Sequence, residues 1–209
     1  SPHIKHIDDT RTIMLDVIIA LLPALLWSVY SFGYRTLTLT LLSVAACMMF
    51  EALYQKLMKK PITVSDMSAA VTGMLIAFNL SVSAPLWLPV VGSLFAIVIV
   101  KQLFGGIGKN FVNPALAARV FMLSWPKEMG TFVEPGVKLS AKSISVITPD
   151  MVSSATPLSS LNQGLIPNLS VKDIFLGNHA GTIGEISALL LAVGGLYLLI
   201  RKIITWHIP

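Results

Sequence analysis

Asp150-Met151-Val152-Ser153-Ser154-Ala155-Thr156-Pro157-Leu158 gathers three hydroxyls and a carboxylate within nine residues. Pro157 pushes Thr156 towards an extended backbone, because the proline ring clashes with a preceding α conformation. An extended hydroxyl at Thr156 is accessible to a modifying enzyme. Clusters of Ser, Thr, Asp and Pro are also the ordinary material of turns. On these residues alone the turn is the commoner outcome, and attachment chemistry stays open beside it.

Gly105-Gly106-Ile107-Gly108-Lys109-Asn110 is the second candidate. A phosphate loop requires Ser or Thr after Gly-Lys, and Asn110 follows here; a dinucleotide fingerprint requires a third glycine two residues on, after a soluble strand. Neither fits. The segment predicts either a tight turn between helices or, with the run that starts at Asn113-Pro114, the wall of a membrane-buried cavity. Half-helix ends often face ions or anionic groups in such cavities. Gly106, Gly108 and Asn113 are the residues that reading uses.

Ionisable residues near apolar runs are functional candidates, because charge is costly in a bilayer. They are Asp16, Glu51, Asp66, Arg119 and Glu185. All but Arg119 fall near the expected ends of spans, where snorkelling suffices. Arg119 sits mid-run and is expected to pair with an acid or to neutralise an anionic group. His3, His6, His179 and His207 show no metal spacing, and no metal site is expected. Cys47 is the single cysteine, so it forms no disulfide within the chain and cannot alone hold an iron–sulfur cluster.

The elements that position these residues follow from composition. Of 209 residues, 55% are hydrophobic and only 12% charged, with a mean hydropathy of +0.78. Typical soluble domains carry about 25% charged residues. The deficit, with apolar runs near 20 residues, points to a bilayer as the main solvent. The net charge of +5 is carried by small clusters between those runs rather than by one basic face, which argues against nucleic acid.

The expected fold is all-α, with about six transmembrane or re-entrant helices. Residues 1–125 hold five of them, with a glycine-rich turn at 104–110. The runs are 13–31, 36–55, 64–83, 85–104 and 111–125, and 85–104 is the cleanest membrane signal. The fifth run has about 15 residues and reaches only about 22 Å, short of a hydrocarbon core of about 30 Å. Its Asn113-Pro114 and Arg119 suit a broken helix packed against protein or a wet cavity. A polar stretch, 126–183, follows, and residues 184–209 hold the sixth helix. Ala69 with Gly73, and Gly184 with Ala188 and Ala192, are small residues four apart, as close helix packing in lipid requires.

Lysine and arginine in short loops set the orientation. With a cytoplasmic N-terminus, that side holds Lys5, Arg11, Lys56, Lys59, Lys60, Lys101, Lys109, Arg201 and Lys202, and the opposite short loops hold only Arg35. The stretch 126–183 then faces outward, provided the fifth run crosses. No signal peptide is visible, and the chain is expected to be a piece of a longer protein.

Asp-x-x-Ser-x-Ala-Thr, here Asp150 to Thr156, resembles the motif of flavin transferases, which move FMN from FAD onto a Thr or Ser hydroxyl through a phosphoester. Lys101 to Ala115, spanning the glycine-rich turn and Asn113-Pro114, resembles one membrane family, which holds the D subunit of the Rnf complex and the B subunit of the sodium-pumping NADH:quinone reductase. Ser65-Asp66 with Ala69-Ala70-Val71-Thr72-Gly73, Ile183-Gly184-Glu185, and Thr205-Trp206-His207-Ile208-Pro209 are similar to it too. The resemblance runs nearly end to end. Ala155-Thr156-Pro157-Leu158 and the Trp-His-Ile-Pro end sit nearer the Rnf branch.

The resemblance implies a subunit of a redox-driven Na+ or H+ translocase that passes electrons between ferredoxin and NAD. It implies a larger inverted-repeat bundle of which this chain is part, in a prokaryotic cytoplasmic membrane. It implies FMN held covalently on Thr156, with Asp150, Ser153, Ser154 and Ala155 read by the transferase; Gly106, Gly108, Asn113 and Arg119 stay open as a cavity or flavin environment. A second, non-covalent flavin such as riboflavin stays open. The implied partners are other subunits of the complex, a flavin transferase and membrane lipid, and no nucleic acid. Two alternatives stand: the quinone-reductase subunit, and a solute or ion transporter without flavin.

Overall fold

The computed structural model describes residues 9–133, 135, 157–162, 164 and 170–207. Every regular element among them is helical, and none is a β-strand. Asp150, Ser153, Ser154, Ala155 and Thr156 lie outside the described residues.

The longest helices are α1, Thr10–Phe32, and α2, Tyr34–Leu57. Both are long and apolar enough to cross a membrane. A single residue, Gly33, reverses the chain between them. Its φ of 84° suits glycine, and its N–H closes α1 on Val29 O at 2.8 Å. These two helices match the expected first and second runs.

The later runs give shorter helices than their hydropathy predicts. The third yields a 3-10 turn, Val64–Asp66, then α3, Ser68–Phe78, of 11 residues. At 1.5 Å per residue that is about 16 Å. The fourth yields α4, Trp87–Leu94, which continues as a π-helix over Phe95–Gln102. The fifth yields α5, Pro114–Met122, followed by the short α6, Pro126–Gly130. Two further short helices, α7 over Pro157–Asn162 and α8 over Val171–Leu176, precede α9, Ala188–Ile200, of 13 residues.

Burial explains the shortening. Between α3 and α4 the chain is irregular yet sealed, with Leu80, Val82 and Ala84 at most 1% exposed. Apolar side chains there made the run look helical. Irregular backbone survives inside only if its polar groups are paired. Arg35 does that pairing from α2, donating Nε to Val82 O and Nη2 to Ala84 O, each at 2.9 Å. The segment before α9 completes it: Ile183 N–H donates to Leu80 O and Gly184 N–H to Phe78 O.

α2 and α4 run parallel, tied at three depths. Arg35 reaches Ala84, Ser43 Oγ lies 3.4 Å from Ser93 Oγ, and Gln102 Nε2 donates to Glu51. α3 packs closely on α2, because a Cβ on Gly73 would come within 2.6 Å of Val44 Cα. The expected small-residue contact at Gly184, Ala188 and Ala192 takes another form. Gly184 precedes α9 and packs on Phe78, Ala188 and Ala192 are exposed, and Gly194 is the α9 residue that meets the α1 backbone at Ala20. At the far end of this pair, Asp16 accepts hydrogen bonds from Tyr197 and Arg201.

Candidate functional site

The helices leave the bundle with two distinct ends. At the first lie the Gly33 turn, Arg35, the irregular segment 79–86 and the start of α4. Trp125 stacks edge-on against Trp87 at 5.5 Å, and Ser83 Oγ donates to Thr131 O at 2.5 Å. The chain therefore leaves α5 and α6 at this end. It returns here too, through Ile183 and Gly184. Both flanks of the stretch containing Thr156 are held at one end of the bundle.

Arg119 lies on α5 facing this return segment. Its Nη1 donates to Asn79 Oδ1 at 2.6 Å and lies 3.5 Å from Glu185 Oε1. Asn79 in turn donates Nδ2 to Leu75 O, closing the C-terminal turn of α3. Arg119 thus joins α3, α5 and the entry to α9. Both charged side chains of the pair are open to the surroundings, at 38% and 59% exposure.

The second end holds a polar network. Lys101 Nζ lies 2.7 Å from Glu51 Oε1 and donates to Ser68 Oγ at 2.6 Å. Ser68 Oγ donates onward to Asp66 Oδ1, also at 2.6 Å. Gln102 Nε2 donates to the same Glu51 Oε1. Glu51, Lys101 and Gln102 are at most 3% exposed. Beside them Gln55 forms a two-way bond with Thr63, fastening the loop after α2.

The two ends together correct four expectations. Glu51 and Asp16 do not snorkel; they are 1% and 5% exposed and paired inside the fold. Lys101 is not a loop cation but a buried partner within the π-helix. Arg35 is not a loop cation either; it is 2% exposed within α2. The loop-charge count for orientation therefore loses Lys101 from one side and Arg35 from the other.

The glycine-rich segment forms a turn, with φ of 105° at Gly105, 93° at Gly106 and 76° at Gly108. Gly106 lines a polar pocket of about 220 Å³ together with Glu51, Gln55, Asp66 and Gln102. Gly108 lines neither this pocket nor the apolar groove beside it. Asn113 caps α5: its Oδ1 accepts the N–H groups of Ala115 and Leu116. It also borders that groove, of about 670 Å³, walled by Phe95, Ile99, Phe104, Leu116 and Phe121. Phe95 and Phe121 stack at 4.3 Å between centroids.

The structure brings Gly106 into one pocket and Asn113 into another, and sets Arg119 apart from both. Sequence reasoning passed over Lys101, Gln102 and Ser68. The available signal was an acid and a base, Glu51 and Lys101, near the same end of two apolar runs. His179 is half-buried, with Nδ1 3.1 Å from Ala180 O. No group of three or more His, Cys, Asp or Glu side chains gathers among the described residues.

Known proteins resemble this chain along its whole length. The D subunit of a Na(+)-translocating ferredoxin:NAD(+) oxidoreductase complex, from Acetobacterium woodii, is 51% identical, over 100% of this chain and 64% of its own length. The D subunit of a proton-translocating ferredoxin:NAD(+) oxidoreductase complex, from Clostridium ljungdahlii, is 38% identical, over 100% of this chain and 63% of its own. The D subunit of an ion-translocating oxidoreductase complex, from Rhodobacter capsulatus, is 36% identical, again over 100% of this chain and 64% of its own. The chain spans slightly less than two thirds of these relatives. The family described as NQR2, RnfD, RnfE matches residues 1–209, and this chain belongs to that family.

Proposed function

We propose that this chain is part of the D subunit of an ion-translocating ferredoxin:NAD+ oxidoreductase complex, and that it carries electrons through FMN esterified to Thr156. The observation that carries the reading is the Asp150-x-x-Ser153-x-Ala155-Thr156 motif in a chain 51% identical to a protein of that name. Bound there, FMN supplies one- and two-electron redox chemistry. Thr156 Oγ holds the phosphate as an anchor and takes no part in turnover. Asp150, Ser153, Ser154 and Ala155 present the site to the transferase.

The surroundings follow from the same reading. The chain is multi-pass in a prokaryotic cytoplasmic membrane, with α1 and α2 as its full spans. α3, α5 and α9 are the partial or broken helices of a larger inverted-repeat bundle, tolerated because protein covers their ends. Exposed apolar side chains on α1 and α2, such as Leu26, Leu41 and Met49, face lipid or other subunits of the complex. The stretch 126–183 faces outward. The apolar groove at Asn113 falls within the size of small-ligand sites, about 300–1,000 Å³. Its aromatic walls suit a planar ring such as a second, non-covalent flavin. Arg119 is committed to Asn79 and Glu185, which favours its joining role over phosphate neutralisation.

Intact mass of the subunit matured with a flavin transferase tests the reading. The expected result is the added mass of FMN on the peptide containing Thr156, a fluorescent band on a denaturing gel, and loss of both in Thr156→Ala. An unmodified Thr156 in protein co-expressed with the transferase would sink it.

A further inference from the structure

Three helices finish at the second end with the same hydrogen-bonded cap, and only one of them carries the residue that the cap prefers. In a Schellman motif a residue with positive φ follows the C-cap, and two backbone bonds close the last turn around it. After the π-helix that residue is Gly105, with φ of 105°; Gly106 N–H donates to Lys101 O at 3.0 Å and Gly105 N–H to Gln102 O at 3.2 Å. After α2 it is Lys59, with φ of 52°; Lys60 N–H donates to Gln55 O at 2.8 Å and Lys59 N–H to Lys56 O at 3.2 Å. After α9 it is Lys202, with φ of 59°; Ile203 N–H donates to Leu198 O and Lys202 N–H to Leu199 O, both at 3.0 Å. A Cβ makes this conformation costly, and glycine is the usual occupant. Two lysines in its place call for a reason beyond the cap, since an outlier of this kind points towards function.

The fold does not use either side chain. Lys59 and Lys202 are exposed, and neither ammonium takes part in an ion pair among the described residues. A helix C-terminus favours a nearby cation, but Lys56 in the last turn of α2 and Arg201 at the C-cap of α9 already supply one. The two lysines share one end of the bundle. Arg201 bonds Asp16 in the second turn of α1, and α1 packs on α2. α1 itself opens with the exposed Arg11. Among the carboxylates of this end, Glu51, Asp16 and Asp66 are paired within the fold, and Asp9 is exposed. Exposed apolar side chains flank both lysines: Leu57, Met58 and Ile62 beside Lys59, and Ile200 and Trp206 beside Lys202. Cations interleaved with apolar groups at the ends of apolar helices match the depth at which acyl chains give way to phosphates, and tryptophan is at home at the same level.

We propose that this end is a docking surface for anionic membrane lipid, and that Lys59 and Lys202 stand where glycine would be easier because their ammonium groups bind lipid phosphates. The apolar neighbours decide between a lipid surface and an acidic soluble partner. Leu57, Ile62 and Ile200 have a place among acyl chains and none against a charged protein surface. The proposal rests on α1 and α2 as membrane spans and is independent of FMN.

Thermal denaturation of the purified full-length subunit, in neutral detergent micelles in which phosphatidylglycerol replaces phosphatidylcholine stepwise, tests it. A ligand that binds the folded state raises the midpoint, so phosphatidylglycerol should raise it in the unaltered protein. The double variant Lys59→Gly with Lys202→Gly should show two opposite effects. Its midpoint in phosphatidylcholine alone is held or raised, because glycine relieves the cap. Its half-effective phosphatidylglycerol concentration rises roughly fivefold for each lysine lost. Lys59→Arg with Lys202→Arg keeps the lipid response. Lys127→Gln, at an exposed position on α6 at the other end, leaves it unmoved. A glycine variant that loses stability in phosphatidylcholine or fails to fold overturns the proposal, because the lysines would then be serving the caps. An unmoved lipid response in that variant, or an equal loss of response in Lys127→Gln, overturns it too. So does a midpoint raised as much by inorganic phosphate, which would make the ligand a free anion. A glycine variant that sheds another subunit of the complex while its lipid response is unmoved would assign the surface to a protein instead. A lipid response in a subunit whose Thr156 stays unmodified would sink the flavin reading and leave this one standing; a flavinylated subunit without the response does the reverse.

Discussion

Lys101 Nζ lies 2.7 Å from Glu51 Oε1, and the two side chains are 3% and 1% exposed. Such a pair holds the end of α4 to α2, and breaking it is more costly than never having built it. Removing one partner of a buried ion pair costs about 3–5 kcal/mol, because the other charge is stranded. Lys101→Met and Glu51→Gln should each lower the thermal midpoint of the purified full-length subunit. The double variant should recover part of the loss, since no bare charge remains. A double variant less stable than either single one would show that the pair is not the source of the effect.

Gly73 is the closest point between α3 and α2. A Cβ there would sit 2.6 Å from Val44 Cα and 2.8 Å from Ser43 O, both backbone atoms that cannot swing aside. Gly73→Ala should therefore destabilise the fold by about 1–3 kcal/mol, the usual range for overpacking. Gly195→Ala is the control, because a Cβ there meets nothing within 4 Å. Thermal denaturation of both variants separates this contact from a general intolerance of glycine replacement.

How far the sequence foretells this arrangement depends on which signal each residue emits. α1 and α2 were legible because continuous hydropathy over more than 20 residues has few other meanings. The segment 79–86 was not. Leu80, Val82, Ala84 and Leu86 are as apolar as a span, and nothing local says that Arg35, 47 residues before Val82, supplies the donors that let it abandon helical bonding. The same blindness hid Lys101, since a lysine at the end of an apolar run reads as a loop cation until its partner on another helix is known. Asn113-Pro114 was legible as a break, because Asn and Pro carry their capping chemistry within the residues themselves. The tethering of the Thr156 stretch at both flanks depends on contacts such as Ser83 to Thr131, which no periodicity encodes.

Arg35 is the donor that keeps irregular backbone inside the fold. Arg35→Lys retains the charge but loses the planar fork that reaches Val82 O and Ala84 O together. Each carbonyl left without a donor costs about 1–3 kcal/mol. Arg35→Lys should destabilise by an amount in that range and Arg35→Met by more. Hydrogen exchange should show faster exchange at Ile183 and Gly184, whose amides bond the same segment. Unchanged exchange there in a destabilised Arg35→Lys would place the effect elsewhere.

Asn113 has two separable jobs, and substitution can tell them apart. Its Oδ1 accepts Ala115 N–H at 2.9 Å and Leu116 N–H at 3.4 Å, which caps α5. The same residue borders the apolar groove. An Asp at this position keeps the accepting oxygen and adds negative charge at a helix N-terminus, where it is favoured. Asn113→Asp should therefore hold stability near that of the unaltered protein, while Asn113→Ala loses about 1 kcal/mol. Whatever the groove binds should respond in the other order. A planar apolar ligand tolerates the loss of one polar group at the rim but not a new charge beside it, because that charge must shed water as the groove fills. Titration of free riboflavin against the full-length subunit, read by fluorescence quenching, should then show weaker binding in Asn113→Asp than in Asn113→Ala. The reverse order would mean that Asn113 itself hydrogen-bonds the ligand rather than bordering it.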